Sequence, residues 1–85
     1  MSNLAESEAR VWAQWARRYR LPAAATRALL QAIRNGSEAD AYPVAGRVCV
    51  FVHVGGTLLD AVLATRLEAT GFVHDEETGA WMLHT

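Results

Sequence analysis

Lysine is absent from this 85-residue chain, and all eight basic residues are arginine. Cysteine occurs once and proline twice. A lone Cys49 excludes an internal disulfide, so burial must hold the chain together, as expected in a reducing compartment. No apolar run approaches the roughly 18 residues that a bilayer span needs. The opening residues Met1-Ser2-Asn3-Leu4-Ala5-Glu6 lack the basic start and apolar stretch of a secretory signal. A cytoplasmic protein without a membrane partner is expected.

Catalytic and cofactor motifs are missing as well. Gly55-Gly56-Thr57 sits where an anion-binding turn would sit, but it lacks the lysine and spacing of a phosphate loop and the third glycine of a dinucleotide fingerprint. Cys49, His53, His74 and His84 supply metal-ligating atoms without paired-cysteine or His-x-x-x-His spacing. A Cys-His nucleophile pair would need a positive group beside the thiol and a third residue to orient the base, and neither is identifiable. The expectation is a non-enzyme without catalytic, cofactor-binding or metal-binding residues.

What is present is a hydrophobic content of 52% against 20% charged residues, which is globular composition at a length that supports one domain. The most structured stretch is Arg47-Val48-Cys49-Val50-Phe51-Val52-His53-Val54. Alternation puts the valines on one face of a strand and Cys49, Phe51 and His53 on the other. Both faces are largely apolar, so cover on two sides is expected.

Upstream, Asn3 with Glu6 reads as a capping box that opens a helix running to about Tyr19. Its inward stripe is Leu4, Val11, Trp12, Trp15 and Tyr19. Pro22 begins a second helix to Arg34, with Thr26, Leu29, Leu30 and Ile33 inward, and Asn35-Gly36 stops it. Residues 37–43 read as a polar connector. Downstream, Thr57 and Asp60 cap a third helix with Leu59, Val62, Leu63 and Leu67 as its apolar face, and Gly71 ends it. Phe72 to Asp75 and Ala80 to His84 form a hairpin around Asp75-Glu76-Glu77-Thr78-Gly79. Phe72, Trp81 and Leu83, with His74, make its core face, opposite Val73, Asp75, Ala80 and Met82.

The expected fold is α+β: one domain over residues 1–85, in the order α-α-β-α-β-β, with helices packed on a three-stranded sheet. Residues 1–36 make a helical hairpin and residues 44–85 a β-α-β-β unit, which is a right-handed crossover if its first two strands are parallel. The third helix covers one sheet face. The other needs the first two helices or a second copy, and a homodimer is expected because so small a sheet leaves edges to blunt or pair.

Charge is unevenly spread. Six arginines against two acids give +4 before residue 35, and two arginines against seven acids give −5 after it. The two halves either neutralise each other or leave opposite faces for partners. Two functional readings follow. The preferred one is a small protein-binding inhibitor or regulator whose partner is a protein or nucleoprotein complex, engaged through Glu38, Asp40, Asp75, Glu76 and Glu77. Phage- and plasmid-encoded inhibitors such as anti-CRISPR proteins and antitoxins are similar in scale and in lack of motifs. The alternative is a DNA-binding regulator. Its first two helices resemble a helix-turn-helix in outline, with Arg27, Gln31 and Arg34 reading bases and Arg17, Arg18 and Arg20 on phosphates.

Overall fold

The computed structural model describes residues 3–85, with side-chain detail from Leu4 onward. The capping box expected of Asn3 therefore lies outside the described residues. Seven elements follow in order: α1 (Asn3–Arg18), α2 (Ala23–Arg34), β1 (Glu38–Val44), β2 (Arg47–His53), α3 (Leu58–Ala69), β3 (Val73–His74) and β4 (Trp81–His84). The class is α+β as expected. The sheet, however, has four strands in the order β1-β2-β4-β3, all neighbours antiparallel, where three were expected.

The extra strand is β1, the segment read as a connector. Glu, Ala, Asp and Pro are poor strand formers, so local propensity gives no sign of it. Pairing with β2 over its whole length, Glu38 opposite His53 through Val44 opposite Arg47, is what makes it a strand. Pro43 is tolerated for a geometric reason. The Val48 backbone carbonyl accepts from Thr85 N–H at 3.0 Å and its N–H donates to Thr85 Oγ1 at 2.9 Å, so the Val48 amide groups point away from β1. Val48 and its partner Pro43 thus form a non-hydrogen-bonded pair, and the missing N–H of Pro43 falls on the free edge.

A second correction concerns the crossover. β2 and β3 are parallel but not adjacent, because β4 lies between them and pairs antiparallel with both. The unit is a split β-α-β.

All three helices gather on one face of the sheet, so β2 is covered on one side and not on two. Val48, Val50 and Val52 are at most 2% exposed and pack with Ala9 and Ala16 of α1, Leu29 and Ile33 of α2, and Leu67 of α3. Burial of a valine side chain contributes about 1.5–3 kcal/mol, so this row is the densest source of stability in the sheet. α2 is the middle helix, in contact with both α1 and α3.

The helices are turned differently from expectation. On α1 the buried residues are Ala9 and Ala16, with Trp12, Trp15 and Tyr19 partly buried, while Leu4 and Val11 are 81% and 63% exposed. Alanines let α1 lie close to α2, and the bulky residues flank that seam. On α2, Ala25, Ala28 and Ala32 join Leu29 and Ile33 inside, while Thr26 and Leu30 are half-buried. On α3 only Leu63 and Leu67 are buried, and Leu59 and Val62 are exposed, because this helix rests over the short β3 and β4 and one seam is all they can cover.

Each helix ends in the same way. Leu21, Ser37 and Phe72 donate their N–H groups to the carbonyls of Ala16, Ala32 and Leu67, and all three are buried, which is the Schellman arrangement with its accompanying hydrophobic anchor in the first and third cases. The left-handed residue is Gly36 for α2 and Gly71 for α3, but Arg20, at φ +56°, for α1. The Thr57–Asp60 capping box of α3 is present as expected, Asp60 N–H donating to Thr57 Oγ1 and Thr57 N–H to Asp60 Oδ2, both at 3.0 Å. The hairpin alternates as expected, with Val73 opposite Met82 and His74 opposite Trp81, but His74, expected on the core face, is exposed because β3 lies at the sheet's edge, and Ala80, expected on the other face, is fully buried.

The β1–β2 turn carries local strain. Its central residues Ala45 and Gly46 both have positive φ, +52° and +79°, which a two-residue type I′ turn requires and which a Cβ at Ala45 resists. Replacing Ala45 with Asn, which tolerates this region, should raise stability by about 0.5–1 kcal/mol. Urea or thermal unfolding reads the change, and a midpoint that does not rise counts against strain at Ala45.

Candidate functional site

Three helices on one side leave the opposite sheet face without cover among the described residues. Alternation fixes what it presents. In one row across the strands stand Asp40, Phe51, Met82 and Val73; in the next toward the β1–β2 turn, Tyr42, Cys49 and His84; beyond them, Val44 and Arg47. On the other side of the Phe51 row lie Glu38 and His53, and on β3's side Asp75, whose N–H bonds to Ala80 O at 2.8 Å. Tyr42 and Phe51 meet edge to face, with ring centroids 5.7 Å apart. Tyr42 is 58% exposed and Val73 62%, while Phe51 and Met82 are half-buried. The centre of this face is therefore an apolar band crossing the strands, of the kind that marks an interaction surface.

One end of the face is acidic. β1 begins at this end, β2 finishes there and the β3–β4 turn projects from it, so Glu38, Asp40, Asp75, Glu76 and Glu77 share it although two segments of the chain supply them. Glu38 and Asp75 are separated by about 14 Å, three strand spacings. The turn that carries Glu76 and Glu77 is ordered by Asp75, whose Oδ1 accepts from Glu77 N–H at 3.3 Å and Oδ2 from Thr78 Oγ1 at 2.7 Å. Asp40 faces His53 at 3.9 Å.

The arginines other than Arg47 sit on the helical side. Arg17, Arg18, Arg20, Arg27 and Arg34 are exposed. Arg34 Nε donates to Glu6 Oε1 of α1 at 3.1 Å, and the Gln31 amide oxygen accepts from Arg66 of α3. Two of the three residues proposed to read bases are thus engaged by the flanking helices. Among the described residues neither the Arg34–Glu6 ion pair nor the Asp40–His53 contact joins the basic first part of the chain to the acidic remainder. The two charge excesses are kept apart instead of cancelling pairwise.

A thiol and an imidazole meet on the open face. Cys49 Sγ lies 3.7 Å from His84 Nε2 on the open face. The geometry could suit a nucleophile and base, but the electrostatics oppose it. Loss of solvent around the sulfur, and secondarily the Asp75 carboxylate, raise the thiol pKa above its ordinary value. His74 is on the other side, its ring 5.1 Å from that of Trp81. Among the described residues no three His, Cys, Asp or Glu side chains are grouped to hold a metal ion.

Set against known proteins, the chain matches no family model, no curated protein and no solved structure.

Sequence reasoning missed Tyr42 and Val44 as members of this face because it missed β1. The signal was there in the alternation of Ala39 and Ala41 with Glu38, Asp40 and Tyr42, small residues toward the helices and large or charged ones away.

The raised thiol pKa has a direct readout. At fixed pH, Cys49 should react with iodoacetamide more slowly in the folded protein than in urea-unfolded chain, because less of it is thiolate. A faster native reaction would mean an activated cysteine and reopen the Cys49–His84 pair as a catalytic centre.

Proposed function

We propose that this chain is a non-enzymatic binding module, dimeric in its working form, that docks a protein partner on its open sheet face and inhibits or regulates it. The uncovered apolar band through Tyr42, Phe51, Met82 and Val73, bordered by an acidic end, is the observation that carries the reading. Apolar area supplies affinity, and the acidic end orients a basic patch on the partner and accelerates encounter. A nucleoprotein complex is a natural source of such a patch, since a groove built for a phosphate backbone is basic. Size and chemistry fit an inhibitor or regulator of the anti-CRISPR or antitoxin kind, encoded by a phage or mobile element and acting in the cytoplasm.

The exposed arginines of α1 and α2 keep a second reading in view, that of a DNA-binding regulator. Against it, α2 is flanked by helices on both sides, whereas a recognition helix must protrude to enter a groove about 12 Å wide.

Two measurements separate the readings. Immobilised protein should capture a partner from the native host's lysate, and the capture should be lost on Val73→Arg and reduced by Glu76→Lys with Glu77→Lys; capture indifferent to all three removes the open face from the account. Duplex and single-stranded DNA should bind weakly across a salt series. Tight, steeply salt-dependent binding abolished by Arg27→Ala and Arg34→Ala would establish the DNA reading in place of the first.

A further inference from the structure

The two edges of the sheet differ. β3 is two residues long, whereas β1 runs for seven, Glu38–Val44, with its outer side unpaired among the described residues. Because Val48 and Pro43 are a non-hydrogen-bonded pair, the residues in phase with Pro43 turn their backbone groups outward: Ala39 and Ala41 offer N–H and C=O, and Pro43 offers C=O. Beside this edge, on the helical side, lies a groove of about 890 Å³ between α1 and β1, lined by Leu4, Val11, Trp12 and Trp15 above and by Ala39 and Ala41 below. The exposed leucine and valine of α1 and the unpaired strand thus adjoin one another.

We infer that β1 and the groove-lining side of α1 form the dimer surface, with β1 pairing antiparallel to β1 of a second copy about a two-fold axis through Ala41. The register follows from charge and from the position of Pro43. An axis through Asp40 would set Asp40 opposite its own copy on the same face, two carboxylates in contact. An axis through Ala41 sets Asp40 opposite Tyr42 and Glu38 opposite Val44 of the second copy. It also pairs the outward N–H of Ala41 with Ala41 C=O and that of Ala39 with Pro43 C=O, while the missing Pro43 N–H leaves Ala39 C=O without a donor at each end, so the two central Ala41 bonds carry the ladder.

Charge complementarity agrees with this register. Val44 is cross-strand neighbour to Arg47, so Glu38 of one copy lies two strand spacings, about 10 Å, from Arg47 of the other, within reach of two long side chains, and the contact occurs twice by symmetry. The acidic end of each sheet comes to rest beside the Arg47 end of its twin. On the helical side the two α1 helices approach over the seam and cover Leu4 and Val11. The open faces merge into one eight-stranded surface, which extends the docking face of the proposed function.

This inference rests on the dimeric part of that proposal, and one set of experiments distinguishes the two. Sedimentation of the full chain over a micromolar range should show a reversible dimer. A monomer throughout overturns both the dimeric reading and this surface. Given a dimer, Ala41→Pro removes only an outward N–H and should weaken association about 100-fold with helix and strand content retained by circular dichroism. Val11→Arg, at an exposed site, provides a second disruption that leaves the fold intact, while Leu58→Glu on α3 should leave association unchanged. A dimer that survives Ala41→Pro and Val11→Arg stands, but on another surface, and this one is overturned. The register has its own test. Glu38→Arg and Arg47→Glu should each weaken self-association about tenfold, and mixing the two variants should restore it as heterodimer, since each then meets an opposite charge. Absence of that rescue overturns the Ala41-centred register.

Discussion

Burial of one side of β2 beneath three helices is the constraint from which the rest of the molecule follows. Val48, Val50 and Val52 are nearly sealed from solvent, and the helices that seal them consume the chain's supply of apolar cover. With α1, α2 and α3 all committed to that side, nothing among the described residues remains for Cys49, Phe51 and their neighbours. The exposed face is a consequence of how many helices an 85-residue chain can provide and where the valines draw them.

The same constraint sorts the charges. α1 and α2 bring most of the arginines to the helical side, and β1 with the β3–β4 turn brings five carboxylates to one end of the sheet. Side chains that pair do so within each region, Arg34 with Glu6 and Asp40 with His53. The molecule is consequently electrically polar although its net charge is only −1, and long-range steering depends on that separation more than on the total.

Much of this was legible in the sequence where a local rule and a packing demand agreed. β2, the Thr57–Asp60 cap, the stops at Gly36 and Gly71 and the placing of Val73 and Met82 on one hairpin face all belong to this class. β1 went unread because most of its residues oppose the strand state, which masks the faint alternation of small residues with large or charged ones until the partner strand imposes the ladder. The helix faces were misread for a related reason. Large side chains mark an apolar stripe in periodicity, but α1 and α2 meet through Ala9, Ala16, Ala25, Ala28 and Ala32, where small size rather than hydrophobic bulk sets the contact. That rotation is what exposes Leu4 and Val11 beside β1. The acidic residues were individually visible; their assembly at one sheet end required the antiparallel order.

The inequality of the two sheet edges limits growth. A strand of seven residues at one border can recruit a neighbour, whereas a border of two residues ending in a tight acidic turn offers too little ladder to do so. Self-pairing at the long border would use it up in both participants. Growth would then stop at the first step, because the short border that remains gives a third copy almost no ladder to join.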